Sequence, residues 1–279
     1  MGNVDVLLIA HRRAHYLAQS LPRLLDSLPR GARAWIWQNE SFPATTQVIE
    51  EYRSHPRFHR FHHSRENHGL TAATNWLWQN ANGDLFGKVD DDCLVPHGWV
   101  EEFAAAHERP RLGVIAAWHF PAEDLLPETL ETRTTPIDEN RSLIRNCWVG
   151  GSGYLMKRAC VDQQGYLSRQ RGFTGYCIDL ATAGWEIGWH YPLVIQDHMD
   201  DPRSPNTGIR TDRDLQELAP LSASRLDEPT VEAWLAQLRA SALTVQTASL
   251  RPQDHRGWRR RLQRLVSRAV ALVTHRGLA

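Results

Sequence analysis

The amino-acid sequence predicts an α/β protein in which a mostly parallel sheet is flanked by helices and followed by a C-terminal helical appendage. Two observations carry this prediction. Short apolar runs alternate with segments of helical spacing over the first 110 residues, as they do in sheets built from strand-helix-strand units. The first of these runs, residues 4–10, is almost continuously apolar, which is typical of a parallel strand covered on both faces.

The order of elements follows from periodicity and from the residues that interrupt it. Leucines recur at helical spacing over residues 15–28, and Pro29 and Gly31 end that helix. Residues 121–145 are acidic, contain prolines and lack a sustained period, so we expect an inserted loop there and a surface loop at 200–226. The other predicted strands are 34–38, 58–63, 85–89, 112–120 and 190–195, and the other predicted helices are 46–53, 70–80, 99–107, 179–186 and 231–243.

The composition argues against several classes of protein. Lysine plus arginine and aspartate plus glutamate number 32 each, so no global charge excess indicates a nucleic-acid partner. The four cysteines include no Cys-x-x-Cys pair, which argues against a zinc knuckle or a disulfide framework. No apolar run approaches the roughly 18 residues of a membrane span, and the N-terminus does not resemble a signal peptide. We therefore expect a cytoplasmic protein.

Three consecutive carboxylates follow the predicted strand 85–89. Asp90, Asp91 and Asp92 repel one another, and the two-residue period of an extended chain places the first and third on the same side. A hard divalent ion such as Mn²⁺ or Mg²⁺, held by one or two carboxylates and by substrate phosphates, would compensate this charge. A solvated acidic turn is the alternative.

The acidic motif, in this order of strands and helices, resembles the Asp-x-Asp motif of glycosyltransferase family 2, whose members have the GT-A fold. Residues 4–28 resemble the family's opening strand and helix, 38–41 its second-strand turn, and 67–75 the start of the helix before the acidic motif. The resemblance covers about residues 4–200. It implies a metal-dependent, inverting transfer of a sugar from a nucleoside diphosphate sugar to a hydroxyl acceptor, which is a glycan, a glycolipid or a small natural product.

The resemblance also implies roles for individual residues. Those implied to bind the nucleotide sugar are His11, Arg13, Asn39, Asn67, Asn75, Asp90 and Asp91. Asp92 and His198 are implied to hold the metal ion, and Asp197 and Asp200 compete with His198 for that role. For Arg13 the alternative is a surface cation at the start of a helix, and for Asn39 and Asn67 it is a turn or helix-cap residue.

Residues 146–156 form a glycine-rich apolar segment that resembles the later Gly-Gly segment of the family. Trp148, Gly150 and Gly151 are implied to lie next to the donor sugar and the acceptor. An indole face suits the C–H face of a sugar ring, and glycines permit close approach of the backbone. Tight strand packing with Trp148 in the core is the alternative.

Asp179 is the candidate general base, because a carboxylate is the usual group that takes the proton of the acceptor hydroxyl. The family usually carries Glu-Asp-x-Asp-Leu here, whereas this chain keeps Asp179 but has Tyr176 and Cys177 in place of the acidic pair. A helix N-cap is the alternative role for Asp179.

A non-catalytic sugar- or nucleotide-binding protein is the alternative function for the whole chain. A nucleotidyltransferase is less favoured, since residues 10–13 lack the glycines of a phosphate loop.

We predict a catalytic domain at 1–204, divided into a nucleotide-sugar-binding half at 1–110 and an acceptor-side half at 111–204. A loop and helix extension at 205–250 and a basic amphipathic tail at 251–279 follow it.

The basic tail holds eight arginines against the single Asp254. Over residues 258–273 its apolar side chains share one helical face and its arginines lie mainly elsewhere, the pattern of an interfacial helix. This tail has four interpretations: peripheral contact with the inner face of a membrane, a helix docked on the body, a dimer contact, and packing against the net-acidic main domain.

Overall fold

The computed structural model describes residues 2–221, 223 and 226–256. Within these residues nine strands form one sheet and two short strands form a second. The strands are β1 (Val4–Ala10), β2 (Ala32–Gln38), β3 (Phe58–His63), β4 (Leu85–Asp90), β5 (Cys93–Leu94), β6 (Leu112–Ala116), β7 (Thr134–Pro136), β8 (Ser142–Asn146), β9 (Tyr154–Lys157), β10 (Glu186–Tyr191) and β11 (Asp197–His198).

The helices lie mostly between consecutive strands, as the sequence pattern predicts. They are α1 (Ala14–Ser27), α2 (Pro43–Glu51), α3 (Gly69–Asn80), α4 (Trp99–Ala106), α5 (Pro127–Arg133), α6 (Arg158–Gln164), α7 (Gly172–Thr182), α8 (Asp212–Leu218) and α9 (Val231–Thr247). None of the helices in the described part of the chain combines the length and apolar character needed to span a membrane.

The large sheet has the strand order β3-β2-β1-β4-β9-β6-β10-β8-β7. Its first four strands are parallel. Strand β9 runs antiparallel between β4 and β6, and β10 is parallel to β6. The predicted α/β fold with a mostly parallel sheet flanked by helices is confirmed. In such a sheet the polar loops after the carboxyl ends of neighbouring strands come together.

Strand β1 lies at the centre of the parallel half and is buried on both faces, as its continuous apolar character predicts. All seven of its residues are buried. Val6 and Leu8 pack in a core that includes the leucines of α1. Leu7 and Ile9 pack on the opposite face in a second core that includes Leu77 of α3. Packing on both faces therefore holds β1 in place, and β1 in turn supports the loop that follows it.

Several predicted segments are wrong. The expected surface loop at 200–226 contains α8, because a capping box at Thr211 and Asp214 stabilises the start of a helix there. The strand expected at 190–195 ends at Tyr191, since the proline that follows cannot donate to a strand ladder.

Two further boundaries differ from the prediction. The expected loop at 121–145 contains α5, β7 and β8, because Pro127 lies in the first turn of α5, where its missing N–H costs nothing, and Pro136 lies in the edge strand β7. The helix expected at 179–186 begins instead at Gly172, since burial of apolar side chains stabilises a segment with weak helix propensity. Asp179 is therefore inside α7, and its interpretation as an N-cap is wrong.

Helix α9 is docked on the body of the protein. Trp234 and Leu238 pack against Leu215 of α8 in a small separate core. Further along the helix, the buried Gln246 donates to the carbonyl of Asp124 and accepts from the backbone N–H of Leu126. The predicted tail helix at 258–273 lies outside the described residues.

Candidate functional site

The acidic motif lies where β1 and β4 end. Asp90 is the last residue of β4 and pairs with Ile9 of β1, and the next two residues form the turn before β5. Strand β5 pairs with β11, which puts His198 opposite Cys93. This pairing brings the late histidine beside the acidic turn, although more than 100 residues separate them along the chain.

Arg13 binds three carboxylates at once. Its guanidinium donates to Asp91 at 2.8 Å, to Asp92 at 2.8 Å and to Asp200 at 2.6 Å. Burial alone would lower the pKa of Arg13, but the surrounding carboxylates raise it well above its usual range. In this structure Arg13, expected to bind the nucleotide, is thus the counter-ion of the acidic motif. A role in nucleotide binding stays a prediction.

The acidic cluster keeps an excess of negative charge despite Arg13. Burial raises the pKa of Asp91 to about 7, with Arg13 opposing the shift. Burial and the neighbouring Asp92 raise the pKa of Asp200, again to about 7. The carboxyl groups of Asp92 and Asp200 lie within hydrogen-bond reach of each other, and Oδ1 of Asp200 is buried without a partner among the described residues.

These residues fit a divalent cation. Asp92, Cys93 and His198 each offer a ligand atom, and the three atoms lie within 4.8 Å of one another. Nε2 of His198 is 3.9 Å from the nearer carboxylate oxygen of Asp92. Burial raises the pKa of the Cys93 thiol well above its usual range, so the carboxylates and the imidazole are the better ligands for Mn²⁺ or Mg²⁺. Asp200 lies beside Asp92 and has an unpartnered oxygen, so it is an additional candidate ligand.

Asp90 is held by a buried lysine that sequence reasoning missed. Nζ of Lys88 donates to Oδ1 of Asp90 at 2.5 Å and to the carbonyl of Gly151 at 2.6 Å. The backbone N–H of Asp90 donates to Oγ of Ser152. Burial raises the pKa of Asp90, and Lys88 opposes that shift. Lys88 thus connects the acidic motif with the glycine-rich segment. Its signal in the sequence is a charged residue inside an otherwise apolar strand.

Two of the residues expected to bind the nucleotide, His11 and Asn67, lie close together at the surface of the site. The backbone N–H of His11 donates to Asp91. Nε2 of His11 lies 3.1 Å from Glu40 and 3.4 Å from Nδ2 of Asn67. His11 and Asn67 are therefore placed next to the acidic motif, where the predicted nucleotide would bind.

Asn39 and Asn75, also expected to bind the nucleotide sugar, form hydrogen bonds with the protein backbone through their side chains. Oδ1 of the buried Asn39 accepts from the backbone N–H of His68, the residue before α3. The amide of Asn75 both donates to and accepts from the backbone of Leu167. Both side chains have a structural role here, and their predicted contact with the nucleotide sugar remains untested.

The glycine-rich segment lies beside His119. A Cβ atom on Gly150 would be 3.1 Å from two atoms of the His119 ring, so the glycine permits this approach, whereas a Cβ on Gly151 would meet nothing within 4 Å. Trp148 is half-buried and makes an edge contact with His255. The predicted contacts of these residues with donor sugar and acceptor stay predictions.

Asp179 is not a free carboxylate in this structure. Its side chain is 6% exposed and forms ion pairs with Arg171 and with Arg256. Oδ1 accepts from both guanidinium groups, and Oδ2 faces Arg171. A role as general base requires that one of these arginines move away, and it stays a prediction.

A cavity of about 350 Å³ adjoins the metal-ligand candidates. It lies between residues 119–123 and residues 195–205, and His198 forms part of its wall. The sequence did not predict this cavity, because its two walls come from segments more than 70 residues apart in the chain.

Several solved structures share the fold of this chain. A mannosyltransferase from Pyrobaculum calidifontis, in complex with GDP-Man and Mn²⁺, matches 98% of this chain and 81% of its own with a TM-score of 0.60 at 17% identity. TarS of S. aureus, residues 1–349, matches 91% of this chain and 74% of its own with a TM-score of 0.56 at 16% identity. GalNAc-T7, with UDP, GalNAc and Mn²⁺, matches 87% of this chain and 55% of its own with a TM-score of 0.58 at 13% identity.

The comparison with protein families gives a more direct result. No curated protein sequence matches the chain. The family model described as Glycosyl transferase family 2 matches residues 5–156, a segment that runs from β1 through the acidic motif to the end of the glycine-rich segment. Because this match spans more than half of the 279 residues, the chain belongs to glycosyl transferase family 2.

Proposed function

We propose that this glycosyltransferase requires Mn²⁺ or Mg²⁺ and moves a sugar from a nucleoside diphosphate sugar to a hydroxyl acceptor with inversion at the anomeric carbon. The observation that carries the metal requirement is the proximity of Asp92 and His198. Asp200 lies beside Asp92, and Arg13 only partly balances the charge of the two carboxylates. The GDP-Man and Mn²⁺ complex of the structurally similar mannosyltransferase supports the same assignment of donor class and ion.

The donor would bind across the carboxyl ends of β1, β2 and β4. We assign the nucleoside to the surface formed by His11, Asn67 and Glu40, whose side chains meet there. The diphosphate would then lie at the acidic turn, where Asp92 and His198 hold the ion. When bound, the ion supplies positive charge that stabilises the leaving nucleoside diphosphate.

The transfer is a single displacement. The acceptor oxygen forms a bond to the anomeric carbon while the bond from that carbon to the phosphate oxygen breaks, and the hydroxyl proton passes to a base. Asp179 is our candidate base, which requires that Arg256 leave its carboxylate when substrates bind. Asp179→Asn is then expected to preserve nucleotide binding and to reduce transfer.

The test is a comparison of Asp92→Ala with Asp227→Ala, which removes an exposed carboxylate far from the acidic motif in the chain. Donor turnover, measured as release of nucleoside diphosphate with Mn²⁺ present, should fall at least about 100-fold in Asp92→Ala, as on loss of a preorganised electrostatic stabiliser. Asp227→Ala should keep the wild-type rate. Equal rates in the two variants would remove Asp92 from the mechanism.

A further inference from the structure

The cavity between residues 119–123 and 195–205 has the position expected of an acceptor site. His198 belongs both to the cavity wall and to the cluster of metal-ligand candidates. Gln196, on the same wall, contacts Ser152 through its side chain, and Ser152 in turn contacts the backbone of Asp90. An occupant of the cavity would therefore adjoin the diphosphate side of the donor without overlapping the nucleoside surface near His11.

The charges of the cavity wall disfavour an anionic occupant. Arg203 is the only arginine or lysine in the described wall, and its guanidinium is bound by Asp124 and Asp201. Glu123 and Asp197 add two further carboxylates. Apart from the ion proposed at His198, the described wall therefore leaves no arginine or lysine free to bind a phosphate or carboxylate group.

The remaining wall suits a small molecule with an apolar face. The wall includes Phe120, Pro121 and Pro205, and the side chain of Ile195 is 38% exposed. A volume of about 350 Å³ is at the lower end of the roughly 300–1,000 Å³ of small-molecule sites. The C–H face of a sugar ring packs well on such a surface.

His119 supplies an unpaired polar group at this cavity. Its Nδ1 is buried and has no hydrogen-bond partner among the described residues, although buried polar groups in proteins are nearly always paired. Its ring packs on Phe120 with a centroid distance of 4.0 Å. The neighbouring Gly150 leaves just enough room for the ring. His119 also lines the cavity, so rotation of its ring would bring the unpaired Nδ1 to the hydroxyl of an occupant.

We propose that this cavity binds the acceptor, that the acceptor is an uncharged hydroxyl compound of about one sugar ring, and that His119 bonds its hydroxyl. This inference rests on the proposed function and adds the chemistry of the second substrate. It distinguishes the acceptor from sugar phosphates and other anionic acceptors, which the carboxylates of the wall repel.

Ile195→Trp tests the proposal by filling the cavity from its exposed edge, and Leu243→Trp on α9 is the matched control, since Leu243 is 50% exposed. The probes are methyl hexopyranosides, hexose 6-phosphates and amino-hexosides, with binding followed by saturation-transfer NMR in the presence of Mn²⁺ and nucleoside diphosphate. Wild type and Leu243→Trp should bind the methyl hexopyranosides. Ile195→Trp should weaken this binding at least about tenfold. His119→Phe, which keeps an aromatic ring but removes both ring nitrogens, should weaken it about tenfold.

Nucleotide affinity, measured in the same samples, separates this proposal from the proposed function. It should be unchanged in Ile195→Trp and His119→Phe. A parallel loss of nucleotide affinity would assign the cavity to the donor and overturn the proposal, as would binding confined to the charged probes or binding of no probe. If the wild type binds methyl hexopyranosides in an Ile195-dependent way but binds no nucleotide, the cavity is confirmed as a sugar site and the proposed donor chemistry fails.

Discussion

Arg13 is the residue on which the electrostatics of the acidic motif depend. It connects the start of α1 with Asp91 and Asp92 of the acidic turn and with Asp200, 187 residues away along the chain. A guanidinium group and a divalent ion bind the same carboxylate oxygens. Arg13 therefore stabilises the cluster in the absence of an ion and competes with the ion for Asp92 and Asp200.

Arg13→Gln is expected to lower the free energy of unfolding without metal by about 3–5 kcal/mol, because three buried carboxylates lose their counter-ion. The same change should raise Mn²⁺ affinity, and added Mn²⁺ should restore much of the lost stability. Isothermal calorimetry and thermal unfolding with and without Mn²⁺ measure both effects. Arg12→Gln is the control, since Arg12 is 60% exposed and pairs with Glu40. Weaker Mn²⁺ binding by Arg13→Gln would show that Arg13 positions the ligands instead of competing for them.

The residues of the site differ in how far the sequence could predict them. Asp92 stands in a local motif, and the family resemblance pointed to His198. Arg13 and Asp200 were also expected in the site, but their contact with each other spans 187 residues and no local pattern encodes it. Lys88 stands out as a charge in an apolar strand, but its contact with Gly151 does not follow from that pattern. The pairing of Asp179 with Arg256, 77 residues away, was missed for the same reason.

At the scale of elements, the strands that support the site were the most predictable. β1, β2 and β4 are buried, and their apolar runs stand out in the sequence. The elements α5, β7 and β8 were missed because prolines occupy positions that a first helical turn or an edge strand tolerates. The short strands β5 and β11 have two residues each, too few to show a period.

Gly153, in the glycine-rich segment, packs against Gln196 of the segment that carries His198. We predict that this contact requires a glycine. The φ of Gly153 is +65°, and an added Cβ would lie 2.1 Å from Oε1 of Gln196. Gly153→Ala should therefore lower the free energy of unfolding by about 2 kcal/mol or more, from backbone strain and the displaced Gln196. Denaturant unfolding measures this loss. Gly151→Ala is the stability control, because its Cβ would meet nothing within 4 Å, and an equal loss in both variants would refute this explanation.

At the scale of the molecule, charge is distributed unevenly. The chain has equal numbers of acidic and basic residues, so the excess of arginine after residue 250 is matched by an excess of acid before it. Arg256 forms an ion pair with Asp179, and His255 contacts Trp148. The first residues of the predicted basic tail thus belong to the body of the protein and reach the candidate active site.

We predict that residues 257–279, which hold six arginines, attach the protein reversibly to anionic membranes. Each arginine near such a surface contributes about 1 kcal/mol. The full chain should co-sediment with vesicles containing phosphatidylserine, and a chain ending at Arg256, which keeps the contacts with Asp179 and Trp148, should bind at least about tenfold more weakly. Unchanged co-sedimentation would exclude a membrane role for this segment and leave a dimer contact or packing on the body.

The metal-dependent donor site is tested most directly by thermal unfolding of the wild type and of Asp92→Ala with a panel of nucleoside diphosphates, with and without Mn²⁺. We predict that one nucleotide raises the unfolding temperature of the wild type only when Mn²⁺ is present, because binding to the folded state alone stabilises it. Asp92→Ala should abolish this shift. A shift that is independent of Mn²⁺, or one that persists in Asp92→Ala, would contradict a metal-dependent donor site at the acidic motif.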